Sequence, residues 1–251
     1  MSNVKLGTYI INGVKVNPIL NIRIWDDYFY KMTVKLPKNY PSTTMGKSSI
    51  VRNRGIFECH ISEITQKDTS WWKHVESLNI DNTYSRYLAI RGFYIIPKLL
   101  GIQLTQDELI MLKGLGILCL HIGLHKIIKT INIIPSNTLI ILRAYSDLTQ
   151  NDNMRNKYYL SLGLNNVLKI FAEKYPECYI NLYDTFINKS VDDIINVLVS
   201  VENTEQLVSY YTTAFGFKIY NYISNDTLMY ESLSHILNIM SIKNTIIKSK
   251  L

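Results

Sequence analysis

The sequence predicts a mixed α/β chain of α+β type, with a mixed, mostly antiparallel central sheet flanked by helices. Three observations predict it. Alternating apolar residues flank Asn12-Gly13 in LGTYIINGVKVNPI, the pattern of a tight hairpin. An apolar stretch, RYLAIRGFYIIPKLL (86–100), precedes a glycine turn, a helix-periodic segment and a second apolar stretch, TLIILRA (138–144). That is the order of a strand–helix–strand crossover. Near the end, KIYNYISNDTLMYESL has two alternating runs about Asn225-Asp226 and reads as a second hairpin.

Composition narrows the class. A chain of 251 residues with 47% hydrophobic residues can bury a sizeable core, which excludes a disordered or fibrous protein. The formal charge of +7 favours anionic partners without choosing among them. Cys59, Cys119 and Cys178 are too widely spaced for a disulfide framework or a CxxC metal site, so a reducing compartment and no bound metal are expected. The first residues lack the apolar core of a signal peptide, and the apolar runs at 114–124 and 138–142 are too short to span a bilayer. The expectation is a soluble, cytoplasmic protein without a membrane partner. One domain is expected over 1–251, with a β-rich part at 1–85, a core at 86–235 carrying an insertion near 150–200, and a tail at 236–251.

The elements follow in order. Residues 19–36 are strand-like until Pro37 and Pro41 break the pattern. Residues 41–54, PSTTMGKSSIVRNR, are polar and basic and read as a solvated loop. Its Gly46-Lys47-Ser48 echoes a phosphate-binding P-loop, but Pro41 stands where that motif needs glycine. Residues 55–64, GIFECHISEI, form a strand with Phe57, Cys59 and Ile61 on one face and Glu58 and His60 on the other. A carboxylate beside an imidazole can serve as a proton acceptor. Trp71-Trp72 anchors a short helix, the apolar strand at 86–100 ends at Pro97, and 105–108 is a polar turn. A helix over 153–164 ends at Gly163, an amphipathic one follows at 165–174, and 179–183 reads as a strand. IINVLVSV (194–201) is a further strand, TEQLVSYYTTAFGF (204–217) a helix, and 241–251 a basic, fraying helix.

The stretch KGLGILCLHIGLHKIIK (113–129) concentrates the chemistry. Gly114 and Gly116 lead into an apolar helix, and a helix N-terminus offers unpaired N–H groups and the positive dipole end to an anion. Side chains at those positions would hold a phosphate away.

With this loop, the strand ending in the proline turn at 93–97, and the closing segment VLVSVENTEQLVSYYTTAFGFKIY…LMYESL, residues 86–235 resemble the GNAT superfamily of acyl-CoA-dependent N-acetyltransferases. The resemblance implies acetyl-CoA, or another acyl-CoA, as cofactor and an amine-bearing small molecule or peptide as acceptor. The N–H groups of Leu115, Gly116, Ile117 and Leu118, with Gly114 and Lys113, would then grip the pyrophosphate. The backbone of Phe93, Tyr94, Ile95 and Ile96 would pair with the pantetheine arm. A tyrosine (Tyr211, Tyr210 or Tyr159) would protonate the leaving thiolate, and Glu58 or His60 would take the amine proton. The alternative is a catalytically inert GNAT-like binding or structural protein. It is supported by Met111, where the family commonly has Gln or Arg, and by the lack of a clear catalytic carboxylate. The basic segments at 47–54 and 243–250 lack the aromatic interleaving of a nucleic-acid surface. Edge strands of the N-terminal third offer a surface for a homodimer.

Overall fold

A computed structural model describes residues 2–25, 29–80, 83–145, 153–176, 179–180, 189–223 and 226–248. Ten strands are described: β1 Ser2–Lys5, β2 Tyr9–Ile11, β3 Val14–Val16, β4 Ile19–Trp25, β5 Phe29–Lys35, β6 Phe57–Glu63, β7 Arg86–Ile95, β8 Thr138–Tyr145, β9 Lys218–Ile223 and β10 Asp226–Ser232. Eight of them form one sheet in the order β1-β4-β5-β6-β7-β8-β10-β9, and β2-β3 form a separate hairpin. The fold is thus mixed, with a large, mostly antiparallel sheet flanked by helices. The chain divides into two compact units, one of Met1–Ile141, Ala214–Gly216 and Glu231–Leu251, the other of Leu142–Thr213 and Phe217–Tyr230.

In the first unit the β2-β3 turn is the one Asn-Gly specifies, with φ of 48° at Asn12 and 77° at Gly13. The alternation along β4 to β7 gives the sheet two unlike faces. Leu20, Ile22, Tyr30, Met32, Val34, Phe57, Cys59 and Ile61 are buried on one of them. Helix α6 (Leu115–Ile131) lies on this face, against β5 and β6. A Cβ on Gly123 would stand 1.7 Å from Met32 Sδ, so this glycine is what lets helix and sheet close up. The buried thiols of Cys59 and Cys119 are free, and burial pushes both pKa values up, so they stay protonated and inert.

The segment 41–54 is helical, not a loop: α1 spans Thr44–Lys47 and α2 Ser49–Arg54. Hydroxyl caps account for it, because Thr43 Oγ1 accepts the Gly46 N–H and Ser48 Oγ the Val51 N–H. Gly46 serves packing, since a Cβ there would meet the Pro41 carbonyl at 2.2 Å. After α3 (Thr69–Ser77) and β7, Ile96 opens α4 (Ile96–Leu99). The polar turn expected at 105–108 is the start of α5 (Gln106–Leu112), closed by a Thr105/Glu108 capping box. Glu108 is fully buried, and its carboxylate accepts the Tyr40 hydroxyl at 3.0 Å, the Thr43 hydroxyl at 2.5 Å and the Thr105 N–H at 2.9 Å. The stretch Gln106–Ile131 has the length and hydropathy of a membrane span, but Lys113 and Gly114 break it into two helices, and half of its most apolar 18-residue window is buried.

In the second unit α7 (Asn153–Leu162), α8 (Leu164–Lys174) and α9 (Val191–Phe215) surround a core of Tyr159, Val167, Phe171, Tyr175, Ile194, Ile195, Leu198 and Val199. The strand expected at 194–201 is therefore helix. Burial at 194, 195, 198 and 199 follows the helical period, and tertiary packing overrides the strand propensity of the β-branched residues. Ser190 and Asp193 cap its start reciprocally. Tyr179 and Ile180 are helical where a strand is expected, and 181–183 lie outside the described residues. At the closing hairpin Asp226 pairs with Ile223, while Asn225 lies outside the described residues. The C-terminal segment is helical, as expected, and the helix starts earlier: α10 (Leu233–Lys248), with Leu233, Ile236 and Met240 buried, packs on α6 in the first unit.

Candidate functional site

The polar face of the first unit is set by strand register. Glu58 pairs with Thr33 and Tyr94, and His60 with Lys31 and Gly92. Between His60 and Ile61 the pairing slips, because β7 carries Arg91 as an extra residue. Such a bulge bends a strand and re-aims its side chains. Arg91 reaches Ser62 and Asp68 and lies 5.3 Å over the Trp71 ring. The Tyr94 ring folds over Gly92 beside it, where a Cβ would stand 2.5 Å from that ring and push it aside.

The structure brings Glu58 and His60 together. His60 Nε2 lies 2.8 Å from Glu58 Oε1 without the alignment of a hydrogen bond, and the imidazole packs near Phe29 and Tyr94. Glu58 is buried, with Lys31 Nζ 3.1 Å from Oε1 and Arg54 Nε 3.5 Å from Oε2. Burial works to raise its pKa, but the Lys31 hydrogen bond and the charges of Lys31, Arg54 and His60 outweigh it and hold Glu58 below the ordinary carboxylate range. For His60 burial dominates over the pull of Glu58, so its pKa lies below the ordinary value. A carboxylate held ionised is a weak base; a neutral imidazole backed by it is a usable one. Lys31 and Arg54 escape a reading of the sequence because strand register brings the one to Glu58 and the turn from α2 into β6 brings the other.

The second site element is the N-terminus of α6. Gly114 takes a left-handed conformation (φ 74°) as N-cap, no side chain caps the helix, and the first turn closes when the Leu118 N–H reaches the Gly114 carbonyl. The N–H groups of Leu115, Gly116 and Ile117 precede that bond. Leu115 and Gly116 are buried, Ile117 and Leu118 half-buried, and the Lys113 side chain is exposed. Met111 is fully buried in the core. Of the proposed pantetheine strand, Phe93, Tyr94 and Ile95 belong to β7. Ile96 does not: it is helical, and its N–H is spent on the Ile56 carbonyl at 3.1 Å.

The three tyrosines lie in the second unit. Tyr159 donates to Glu202 Oε1 at 2.8 Å, Lys174 Nζ lies 2.7 Å from the same oxygen, and Arg155 Nη1 is 3.5 Å from Oε2. These residues line a cavity of about 540 Å³ with Tyr158 and Tyr175. Burial and the Glu202 carboxylate push the Tyr159 pKa well up, so it is a fixed phenol donor to a buried carboxylate. Tyr159→Phe removes one donor from Glu202 and is expected to lower stability by about 2 kcal/mol, read from the urea midpoint. Tyr211 is buried, edge-on to Phe217 with centroids 6.4 Å apart, whereas Tyr210 is exposed. Glu202 is the residue that sequence reading misses. It is an ordinary-looking glutamate in a polar stretch, placed by α9 being helical throughout.

No protein-family model, no curated protein and no solved structure matches the chain.

Proposed function

We propose that the chain is a GNAT-like acyltransferase that moves an acetyl group from acetyl-CoA, or another acyl-CoA, directly to a primary amine. The observation that carries the reading is that one unit holds both an uncapped, glycine-led helix N-terminus and a neutral His60 backed by Glu58. The strand–helix–strand order of β7, α6 and β8 and the closing helix and hairpin support it. In this reading the N–H groups of Leu115 to Ile117, which no side chain caps, bind the pyrophosphate, with Lys113 adding charge. The β7 backbone from Phe93 to Ile95 lies along the pantetheine. The amine nitrogen attacks the thioester carbonyl as His60 accepts its proton, the C–S bond breaks, and the thiolate is protonated. Of the tyrosines the resemblance implicates, Tyr159 is committed to Glu202 and Tyr211 is packed on Phe217.

Charge narrows the acceptor. Register puts Arg23 and Lys31 side by side, Arg54 meets Glu58, and Lys35 has its pKa lowered by burial and by the charges of Arg23 and Lys31. Four cations against one carboxylate repel a polyamine and favour an amine that carries its own negative group, such as an amino acid, an amino-sugar phosphate or an acidic peptide.

The burial of Met111 favours the inert alternative, and cofactor binding is the first requirement on which the enzyme reading can fail. Calorimetric titration with acetyl-CoA and CoA is expected to give micromolar binding that falls at least tenfold in a Gly114→Asp/Gly116→Asp variant with an unchanged far-UV spectrum. No heat at near-millimolar cofactor would sink the enzyme reading.

A further inference from the structure

Helix α6 carries a second constellation, on residues the proposed transfer does not use. His121 and His125 stand four residues apart, one turn of helix, so their side chains share a face. His121 is half-buried and His125 exposed. Their rings meet edge to face with centroids 4.6 Å apart, and the two Nε2 atoms are 3.1 Å from one another. We propose that His121 and His125 chelate a divalent transition-metal ion of the borderline class, Zn²⁺, Ni²⁺ or Cu²⁺, through their Nε2 atoms.

Geometry carries the assignment. An imidazole nitrogen sits about 2.0–2.1 Å from zinc, and two such bonds to nitrogens 3.1 Å apart enclose roughly 98°, between the octahedral and tetrahedral angles. The two Nε2 atoms already stand within reach of a single ion, so small ring rotations suffice and little side-chain entropy is lost on binding. The helix holds the spacing, because its backbone between the two residues is continuous. Ligand chemistry sets the class: neutral imidazole suits Cu²⁺, Ni²⁺ and Zn²⁺, whereas Mg²⁺ and Ca²⁺ want oxygen. Among the described residues no third His, Cys, Asp or Glu completes a group of metal ligands, so water or an outside donor fills the remaining positions. The site is open and exchangeable, unlike a closed structural zinc. Free of metal, the pair is one N–H···N hydrogen bond between complementary tautomers, which the ion replaces.

The test uses the full, untagged chain stripped of metal by chelator. Calorimetric titration with ZnCl₂ and NiCl₂ is expected to show one ion per chain at micromolar affinity and none with MgCl₂. Thermal denaturation is expected to shift upward with added Zn²⁺, because the ion binds the folded helix in preference to the unfolded chain. His121→Ala and His125→Ala each lower the affinity at least tenfold, while the control His74→Ala leaves it unchanged. Paramagnetic Ni²⁺ selectively broadens the imidazole proton resonances that disappear in the two variants. Retained stoichiometry and affinity in the His121→Ala/His125→Ala chain, with native far-UV and thermal profiles, overturns the proposal. So does broadening confined to other histidines, or the absence of any Zn²⁺ heat, which leaves a hydrogen-bonded pair only.

Discussion

Replacing Gly55 by alanine is expected to remove a large part of the stability of the first unit, about 4 kcal/mol or more. Two independent costs coincide there. The residue has φ 101° and ψ −174°, a region that only glycine occupies without strain, and an L side chain costs about 1–3 kcal/mol in such a place. A Cβ would also stand 2.2 Å from the Val34 carbonyl oxygen. That oxygen cannot retreat, because it accepts the Ile56 N–H at 2.8 Å where β6 begins to pair with β5. Relief of the clash would therefore cost a sheet hydrogen bond, and the loss is a large part of a typical 5–15 kcal/mol total. Gly13→Ala is the control: φ is 77°, but nothing lies within 4 Å of the added Cβ, so about 1 kcal/mol of strain is expected alone. Urea midpoints of the two variants check the argument, and equal losses would show that the close approach of Val34 contributes nothing.

Gly55 also shows what a single sequence makes legible. That a glycine precedes a strand is visible; that a carbonyl from β5 sits against it is not. Local signals read well. Asn12-Gly13 makes its hairpin, the alternation of 57–63 separates Glu58 and His60 from Phe57, Cys59 and Ile61, and the glycine turn leads into α6. The misreadings come from signals that compete. In 194–201 a run of Ile and Val outweighed the Ser190–Asp193 cap and the burial period that make the segment part of α9. At 105–108 and 43–51 the polar residues are helix caps, which resemble turns when only composition is weighed. The site divides in the same way. Glu58 and His60 are neighbours along a strand and are legible, whereas Lys31 and Arg54 reach Glu58 only through strand register and the fold of α2.

The ion set around Glu58 leads to the second large effect. If acetyl transfer runs through His60, His60→Ala is expected to lower kcat/KM about 10²- to 10⁴-fold, and Glu58→Gln less, since it removes the partner of the base and not the base. The pH profile identifies the mechanism. His60 titrates below its ordinary 6.5 because burial penalises the imidazolium, so kcat/KM for the wild type should rise with pH through a midpoint below 6.5 and then level off. Glu58→Gln removes the carboxylate that pulls the pKa up, so the midpoint should move to still lower pH, a shift that a purely structural role would not give. Stability follows the same groups with a sign that can be worked out. Below pH 6.5 the unfolded chain binds a proton at His60 that the folded chain does not, so stability falls on acidification until the depressed folded pKa is passed. Glu58, also depressed, adds a second loss as pH falls below its ordinary 4.5. His60→Ala should therefore abolish the first loss and keep the second. An unchanged rate profile in the Glu58→Gln enzyme would remove the pair from the chemistry and leave its four cations as a binding surface alone.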